Sequence, residues 1–157
     1  MSFEIDVGDR RWRRVRSLFT DIEQAHALTL TKKDQARSVT ILLADDETLQ
    51  RLNRDWRHKD TPTNVLSFPA AEIATPRGLT KPLGDIALSY DTCAREARSA
   101  GKTLHDHALH LVIHGLLHLT GHDHEHETDA KHMEGKEIRI LAKLGIANPY
   151  VLDDVHE

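Results

Sequence analysis

The sequence predicts an α/β fold, because short segments rich in β-branched and aliphatic residues alternate with longer segments of helical periodicity. Its 157 residues match the usual size of one domain and can bury a core. Hydrophobic residues make up 39% and charged residues 29%, which is typical of an ordinary globular protein. We therefore expect residues 1–157 to form a single domain.

Four segments have the pattern of strands. Residues 3–7 alternate apolar and polar side chains, and residues 38–44 form a continuous β-branched and aliphatic run. Two shorter segments lie on either side of residues 70–81, where Pro76 and Gly78 predict a loop or a hairpin connection. The predicted strands are residues 3–7, 38–44, 65–68 and 86–89.

Five segments have the three- and four-residue apolar spacing of helices. Asp45 and Asp46 are expected to cap the second helix, and Thr103 the fourth. The fourth helix is apolar on nearly every side, so it should lie in the interior. The predicted helices are residues 9–27, 46–56, 91–100, 104–120 and 127–144.

Composition and charge exclude several classes of protein. The net charge of −4 argues against a generally basic nucleic-acid binder. Cys93 is the single cysteine, which indicates a reducing compartment and rules out a cysteine metal cage. The first residues lack the pattern of a secretory signal, and no apolar run reaches transmembrane length. These observations predict a cytoplasmic protein without a membrane partner.

Two clusters of basic residues stand out against this negative charge. Five arginines crowd residues 10–16, and three arginines, a histidine and a lysine crowd residues 51–59. Charge runs of this kind are commonly solvated helix faces. If RNA binds, these patches are expected to contact it, with an affinity that weakens steeply with salt.

Histidines gather in one region, since nine of the twelve lie between His105 and His132. His114 and His118 are one helical turn apart, so their imidazoles project from one face about 6 Å apart along the axis. Gly121 permits a chain reversal that can bring His124 toward the same ion. Three imidazoles with one open position are the ligand set of a catalytic zinc site, which predicts a metal-dependent hydrolase.

The remaining histidines are assigned other roles. His110 lies about 12 Å along the axis from His118, too far for the two to share one ion easily. We expect three histidines early in the fourth helix to be structural, namely His105, His107 and His110. We expect three later ones to face solvent, namely His122, His126 and His132.

The spacing HxxxHxxGxxH also occurs in zinc proteases, in which a glutamate directly after the first histidine is the general base. Here that position is Gly115, which cannot accept a proton. A metalloprotease-like peptide hydrolase therefore lacks its usual base, although Asp123, Glu125 or Glu127 would be substitutes. A second alternative is a non-catalytic ribosome assembly factor whose fold is stapled by zinc.

Several motifs together resemble the YbeY family of bacterial endoribonucleases. HGLLHLTGHDH at 114–124 resembles its metal motif, and DTPTNVLSFP at 60–69 and LGDIALS at 83–89 resemble two further signatures. LNRDWR at 52–57 resembles the segment before the second signature, and Met133, Glu134 and Glu137 fit the helix after the metal motif. The resemblance covers most of the chain from about residue 40.

The resemblance implies a small, mostly parallel four-stranded sheet packed against about five helices. It implies one zinc ion per chain held by His114, His118 and His124, with Arg57 as the basic residue of the active cleft. The implied substrate is single-stranded RNA, in 16S ribosomal RNA 3′-end maturation and ribosome quality control on the small ribosomal subunit. It also leaves room for a ribosome-associated protein partner.

The expected mechanism follows from these residues. Three imidazoles on zinc would lower the pKa of a bound water to about 7, so a strong protein base is not required. Arg57 is suited to hold the phosphate through its bidentate fork. Asp85, just before a predicted strand, is a weaker candidate for orienting a ligand or a water, with a structural turn as its alternative role.

Overall fold

Three strands of the central sheet run parallel, and the fourth, at one edge, runs antiparallel. The computed structural model describes residues 3–70, 81–121 and 127–150. Its strands, in the spatial order β1-β2-β4-β3, are β1 (Phe3–Val7), β2 (Val39–Ala44), β3 (Val65–Pro69) and β4 (Gly84–Ser89). The pairs β1–β2 and β2–β4 are parallel, whereas β3 pairs antiparallel with β4. The predicted α/β class and mostly parallel sheet are confirmed.

Helices surround this sheet. In the described part of the chain they are a 3-10 helix (Arg10–Arg14), α1 (Leu18–Thr29), α2 (Lys32–Gln35), α3 (Asp46–Arg57), α4 (Tyr90–Ser99), α5 (Leu104–Leu119) and α6 (Glu127–Lys143). The short helix α2 was not predicted, and the loop predicted at 70–81 falls largely outside the described residues. Within the described ranges, no helix has both the length and the apolar character needed to cross a bilayer.

The prediction of a single helix over residues 9–27 is wrong. The chain forms a 3-10 turn, passes through an extended Val15 and a left-handed Ser17 (φ 65°), and only then enters α1. Trp12 explains the interruption, because it is fully buried and its indole Nε1 donates to the Ala44 carbonyl at 2.9 Å. Anchoring this ring at the end of β2 fixes the direction of a segment that local periodicity alone would continue as one helix.

The sheet is covered differently on its two faces. One face packs against α1 and α5 and forms the main core, in which Ile41, Ile86 and Ile113 are completely buried. The other face carries a smaller cluster around Leu49 and Ala87, under α3. Because α3 covers only part of this second face, a groove stays open beside it.

Helix α5 is the central element of the main core. The Thr103 hydroxyl accepts from the Asp106 amide at 3.1 Å, which confirms the predicted N-cap, and Gly121 follows the helix with φ +98°. Most α5 side chains are buried, and the partly accessible ones form a stripe that includes His107, His110, His114 and His118. The histidines therefore share the one side of this helix that the core does not enclose.

Candidate metal centre

His114 and His118 lie side by side in the last turns of α5. Their Nε2 atoms are 3.1 Å apart, and their ring centroids are 4.6 Å apart with the planes at 74°. The predicted convergence of these two imidazoles is therefore observed. Two nitrogens directed at one point can serve either as a hydrogen-bonded pair or as two ligands of one cation.

Glu137 of α6 supports this pair from behind. Its side chain is 1% exposed, and its Oε1 lies 3.3 Å from His114 Nδ1 and 2.6 Å from His110 Nε2, and accepts from the Tyr150 hydroxyl at 3.1 Å. Burial opposes ionisation of Glu137, but the hydrogen bonds with His110 and His114 hold its pKa well below the usual range. A carboxylate at Nδ1 keeps the opposite nitrogen of His114 directed at His118.

Sequence reasoning did not assign this role to Glu137, although a signal was present. Met133 and Leu141, four residues before and after it, are buried core residues of α6. Glu137 therefore occupies the centre of an apolar stripe, where a charge is tolerated only when it is paired. A search for carboxylates on buried helical faces would have found it.

The predicted third ligand, His124, lies outside the described residues, as do His122 and His126. Across residues 3–70, 81–121 and 127–150, no group of three or more His, Cys, Asp or Glu side chains is arranged to hold a metal ion. Within those ranges, the candidate centre consists of the His114–His118 pair and its supporting carboxylate. The complete three-histidine ligand set stays a prediction.

The earlier histidines of α5 each face a carboxylate. His105 bridges Asp106 and Asp21 at 2.8 and 2.7 Å, and His107 Nε2 lies 2.9 Å from Glu96 Oε1. His110 contacts Glu137 as described above. These contacts agree with the structural roles predicted for the three, and His110 also buttresses the candidate centre. His132 on α6 is exposed, as predicted.

Arg57, at the end of α3, lies in the same cleft as the histidine pair. We call this cleft the histidine pocket. It has a volume of about 490 Å³ and is lined by Arg57, Asn64, Val65, Leu66, Ser67, Pro69, His114 and His118. Arg57 Nη2 donates to the Ser67 carbonyl at 2.7 Å, and its guanidinium lies 4.7 Å from the centre of the Phe68 ring. These contacts hold the cation at the mouth of the pocket.

Asp85 lies elsewhere. It is on β4, on the sheet face that α3 partly covers, and it lines a different groove together with Arg57. Burial raises the pKa of the Asp85 carboxyl above its usual value. The structure therefore brings Asp85 near Arg57 but does not place it among the residues that line the histidine pocket.

Gly115 has a packing role. A Cβ atom at this position would lie 3.0 Å from Ile86 Cδ1 and 3.1 Å from Ser67 Oγ. Both distances are shorter than ordinary van der Waals contact, so α5 packs tightly against the sheet at this glycine. A glutamate here, as in zinc proteases, would press its first carbon against the side chains of Ile86 and Ser67.

The two basic patches differ in their availability. In the first, Arg11 is bound by Asp9 at 2.6 Å and Asp91 at 2.9 Å, whereas the other four arginines are exposed. In the second, Arg57 and Lys59 line a further cleft next to the histidine pocket. The second patch is thus the one that adjoins the candidate centre.

Comparisons with known proteins agree on one family. The family model described as Endoribonuclease YbeY matches residues 4–145. A protein named Endoribonuclease YbeY from Ruegeria pomeroyi is 41% identical over 165 residues, covering 98% of this chain and 100% of its own length. Another of that name, from Erythrobacter litoralis, is 53% identical over 117 residues, covering 71% of this chain and 73% of its own.

A solution structure of a Thermotoga maritima protein has the same fold. It is 22% identical in sequence, with a TM-score of 0.55, and the match covers 90% of this chain and 91% of that one. At this level of identity the likeness supports the architecture alone.

Proposed function

Because this chain belongs to the endoribonuclease YbeY family, we propose that it is a zinc-dependent endoribonuclease that hydrolyses single-stranded RNA. Its proposed role is 16S ribosomal RNA 3′-end maturation and ribosome quality control in the cytoplasm, with the small ribosomal subunit as partner. The observation that carries the proposal is the convergence of His114 and His118 in a pocket that also holds Arg57. The pocket combines two nitrogen ligands with a cation suited to phosphate.

The described residues fit a bound cation. Two imidazole nitrogens that each lie about 2.0–2.1 Å from one zinc at the tetrahedral angle are about 3.3 Å apart. The Nε2 atoms of His114 and His118 are 3.1 Å apart, and Glu137 occupies the Nδ1 side of His114. His114 and His118, with His124, would hold the ion. When bound, zinc supplies a Lewis acid and lowers the pKa of water at the site.

Arg57 has the task of holding the scissile phosphate. Its hydrogen bond to the Ser67 carbonyl and its position over Phe68 fix the guanidinium at the rim of the histidine pocket. From there it offers donors to the non-bridging oxygens, on which negative charge grows during displacement. A preorganised guanidinium needs little rearrangement when this charge develops. Loss of the Arg57 side chain should therefore lower the turnover rate strongly and leave the metal content nearly unchanged.

Two features of the pocket disfavour the protease alternative. The base position is Gly115, and a Cβ there would already be in tight contact with Ile86 and Ser67. The outward edge of β3, where an extended peptide could add as a strand, is also partly occupied. Asn64 Oδ1 accepts from the Val65 amide at 2.6 Å, and Arg57 donates a hydrogen bond to the Ser67 carbonyl.

The test compares substrates with and without metal. Purified full-length protein is incubated with single-stranded RNA, duplex RNA and an unstructured peptide, each with chelator and after zinc is restored. We expect internal cleavage of the single strand only, abolished by chelation and regained with zinc. His114→Ala should lose both bound zinc and cleavage, whereas Arg57→Ala should keep zinc and cleave at least tenfold more slowly.

Three outcomes would contradict the proposal. Normal RNA cleavage by metal-free protein would exclude the metal from the mechanism. Cleavage of the peptide instead of RNA would favour the protease alternative. Chelator-induced unfolding of a protein that cuts no substrate when zinc is bound favours the stapled assembly factor.

A further inference from the structure

The open part of the sheet forms a groove next to the histidine pocket. We call it the sheet-face groove. Its volume is about 700 Å³, and its main lining residues are Leu42, Trp56, Arg57, Phe68, Asp85 and Ala87. Successive side chains of a strand point to opposite faces of the sheet, so the residues that face the groove alternate with the core residues along each strand. The register places Asp85 between Thr40 of β2 and Phe68 of β3.

Trp56 is the most unusual residue of this groove. Its side chain is 65% exposed, although α3 otherwise points its apolar residues inward, as with the fully buried Leu49. The indole lies 6.4 Å from the Phe68 ring, with the planes at 65°. A large exposed aromatic surface beside a second ring is the kind of platform on which proteins stack the bases of single-stranded nucleic acid.

Arg57 connects this platform to the candidate metal centre. It lines both the histidine pocket and the sheet-face groove, and it follows Trp56 directly in the chain. The guanidinium lies over the Phe68 ring that Trp56 also contacts. A strand whose phosphate lies at Arg57 therefore has a neighbouring base within reach of the indole.

The charges of the groove select the part of a nucleotide that enters it. Asp85 and Asp6 both line it, so a phosphate would be repelled from its floor. A carboxylate instead accepts hydrogen bonds from the exocyclic amino group of a base, as aspartate does from cytosine N4. Uracil carries a carbonyl at that position.

We propose that the sheet-face groove is a nucleobase subsite for the RNA strand, in which Trp56 stacks on a base and Asp85 accepts from its amino group. The inference rests on the proposed function, because the strand that enters the groove is the substrate held at Arg57. It assigns a preference for an amino-bearing base over uracil next to the phosphate that is cut.

Binding of two matched probes tests this subsite without cleavage. Hexacytidylate and hexauridylate are titrated into the full-length protein in chelator, and tryptophan fluorescence is recorded. Trp56 is exposed and Trp12 is fully buried, so a base that stacks should quench the exposed component alone. We expect Trp56→Ala to weaken hexacytidylate binding about tenfold, and Trp56→Phe to stay within about threefold of wild type.

Two further variants complete the design. Leu28→Ala removes another exposed apolar side chain, on α1, and should leave binding unchanged. Asp85→Asn should reduce the preference for hexacytidylate over hexauridylate to about one, with the fold verified by circular dichroism. Equal affinity of wild type and Trp56→Ala, or quenching by neither probe, would overturn the subsite.

These outcomes are distinct from failure of the proposed function. If single-stranded RNA is cleaved in a metal-dependent way but Trp56→Ala does not affect binding, the nuclease proposal is supported and the subsite proposal is refuted. If hexacytidylate binding depends on Trp56 but the protein cleaves no RNA, the subsite proposal is supported and the nuclease proposal is refuted.

Discussion

The two halves of α5 use the same side chain for different purposes. In the first half, His105 and His107 face carboxylates of α1 and α4, so each imidazole is a polar link between helices. In the second half, His114 and His118 direct their Nε2 atoms at one another. The difference lies in the partner of Nε2. An Nε2 atom that faces a carboxylate of another helix links the two helices, whereas two Nε2 atoms that face each other offer a site for a cation.

The largest effect is expected when the second half is changed. His118→Ala should abolish stoichiometric zinc binding, because one imidazole of the converging pair is lost. His105→Ala is the matched control on the same helix, and it should bind one zinc per chain, as is expected of wild type. The measurement is metal content after dialysis against a weak chelator. Equal zinc content in the two variants would erase the distinction between the two halves.

A smaller effect is expected when the support of the second half is changed. Glu137→Gln keeps the shape of the side chain but removes the charge near His114 Nδ1, so zinc affinity should fall about 10–100-fold. Asp21→Asn makes the same change at His105 and should leave affinity unaltered. Competition with a zinc-binding dye measures both. A Glu137→Gln variant with wild-type affinity would show that this carboxylate serves folding alone.

The free energy of unfolding is expected to change when Gly115, which lies between His114 and His118, is replaced. Gly115→Ala gains about 1 kcal/mol of helix propensity, but its Cβ meets Ile86 and Ser67 at 3.0–3.1 Å, and such overpacking costs about 1–3 kcal/mol. We expect a net loss of about 1 kcal/mol in the free energy of unfolding, measured in urea with chelator present. Gly135→Ala on α6 meets only Arg139, at 3.5 Å, and should stabilise the protein. Stabilisation by both would contradict the packing role of Gly115.

The smallest effect is a pH dependence in the first half of α5. Burial of His105 opposes its charge, but the hydrogen bonds with Asp106 and Asp21 outweigh burial and raise its pKa. A raised folded pKa gives stability that is complete below the unfolded value of about 6.5 and is lost as pH rises through the folded value. The free energy of unfolding of wild type should therefore exceed that of His105→Gln by up to about 1 kcal/mol at pH 6 and by less at pH 8. A constant difference across this range would contradict the charged pairing.

Much of the fold was predictable because its signals are local. The four strands and the N-caps at Asp45 and Thr103 depend on residues only a few positions apart, and the structure confirms them. The helix predicted over residues 9–27 was wrong because its interruption depends on Trp12 binding a carbonyl 32 residues away. Local periodicity carries no information about such a contact.

For the candidate site, the sequence by itself determined the pair His114 and His118, because four-residue spacing on a helix places two side chains on one face whatever surrounds them. It also determined that Gly115 cannot act as a base. Only the tertiary structure decided that Glu137 supports His114, that Arg57 joins the histidines and that Asp85 faces a separate groove. Those relations depend on how α3, α5 and α6 pack around the sheet, and packing brings together residues whose separation in the chain gives no hint of contact.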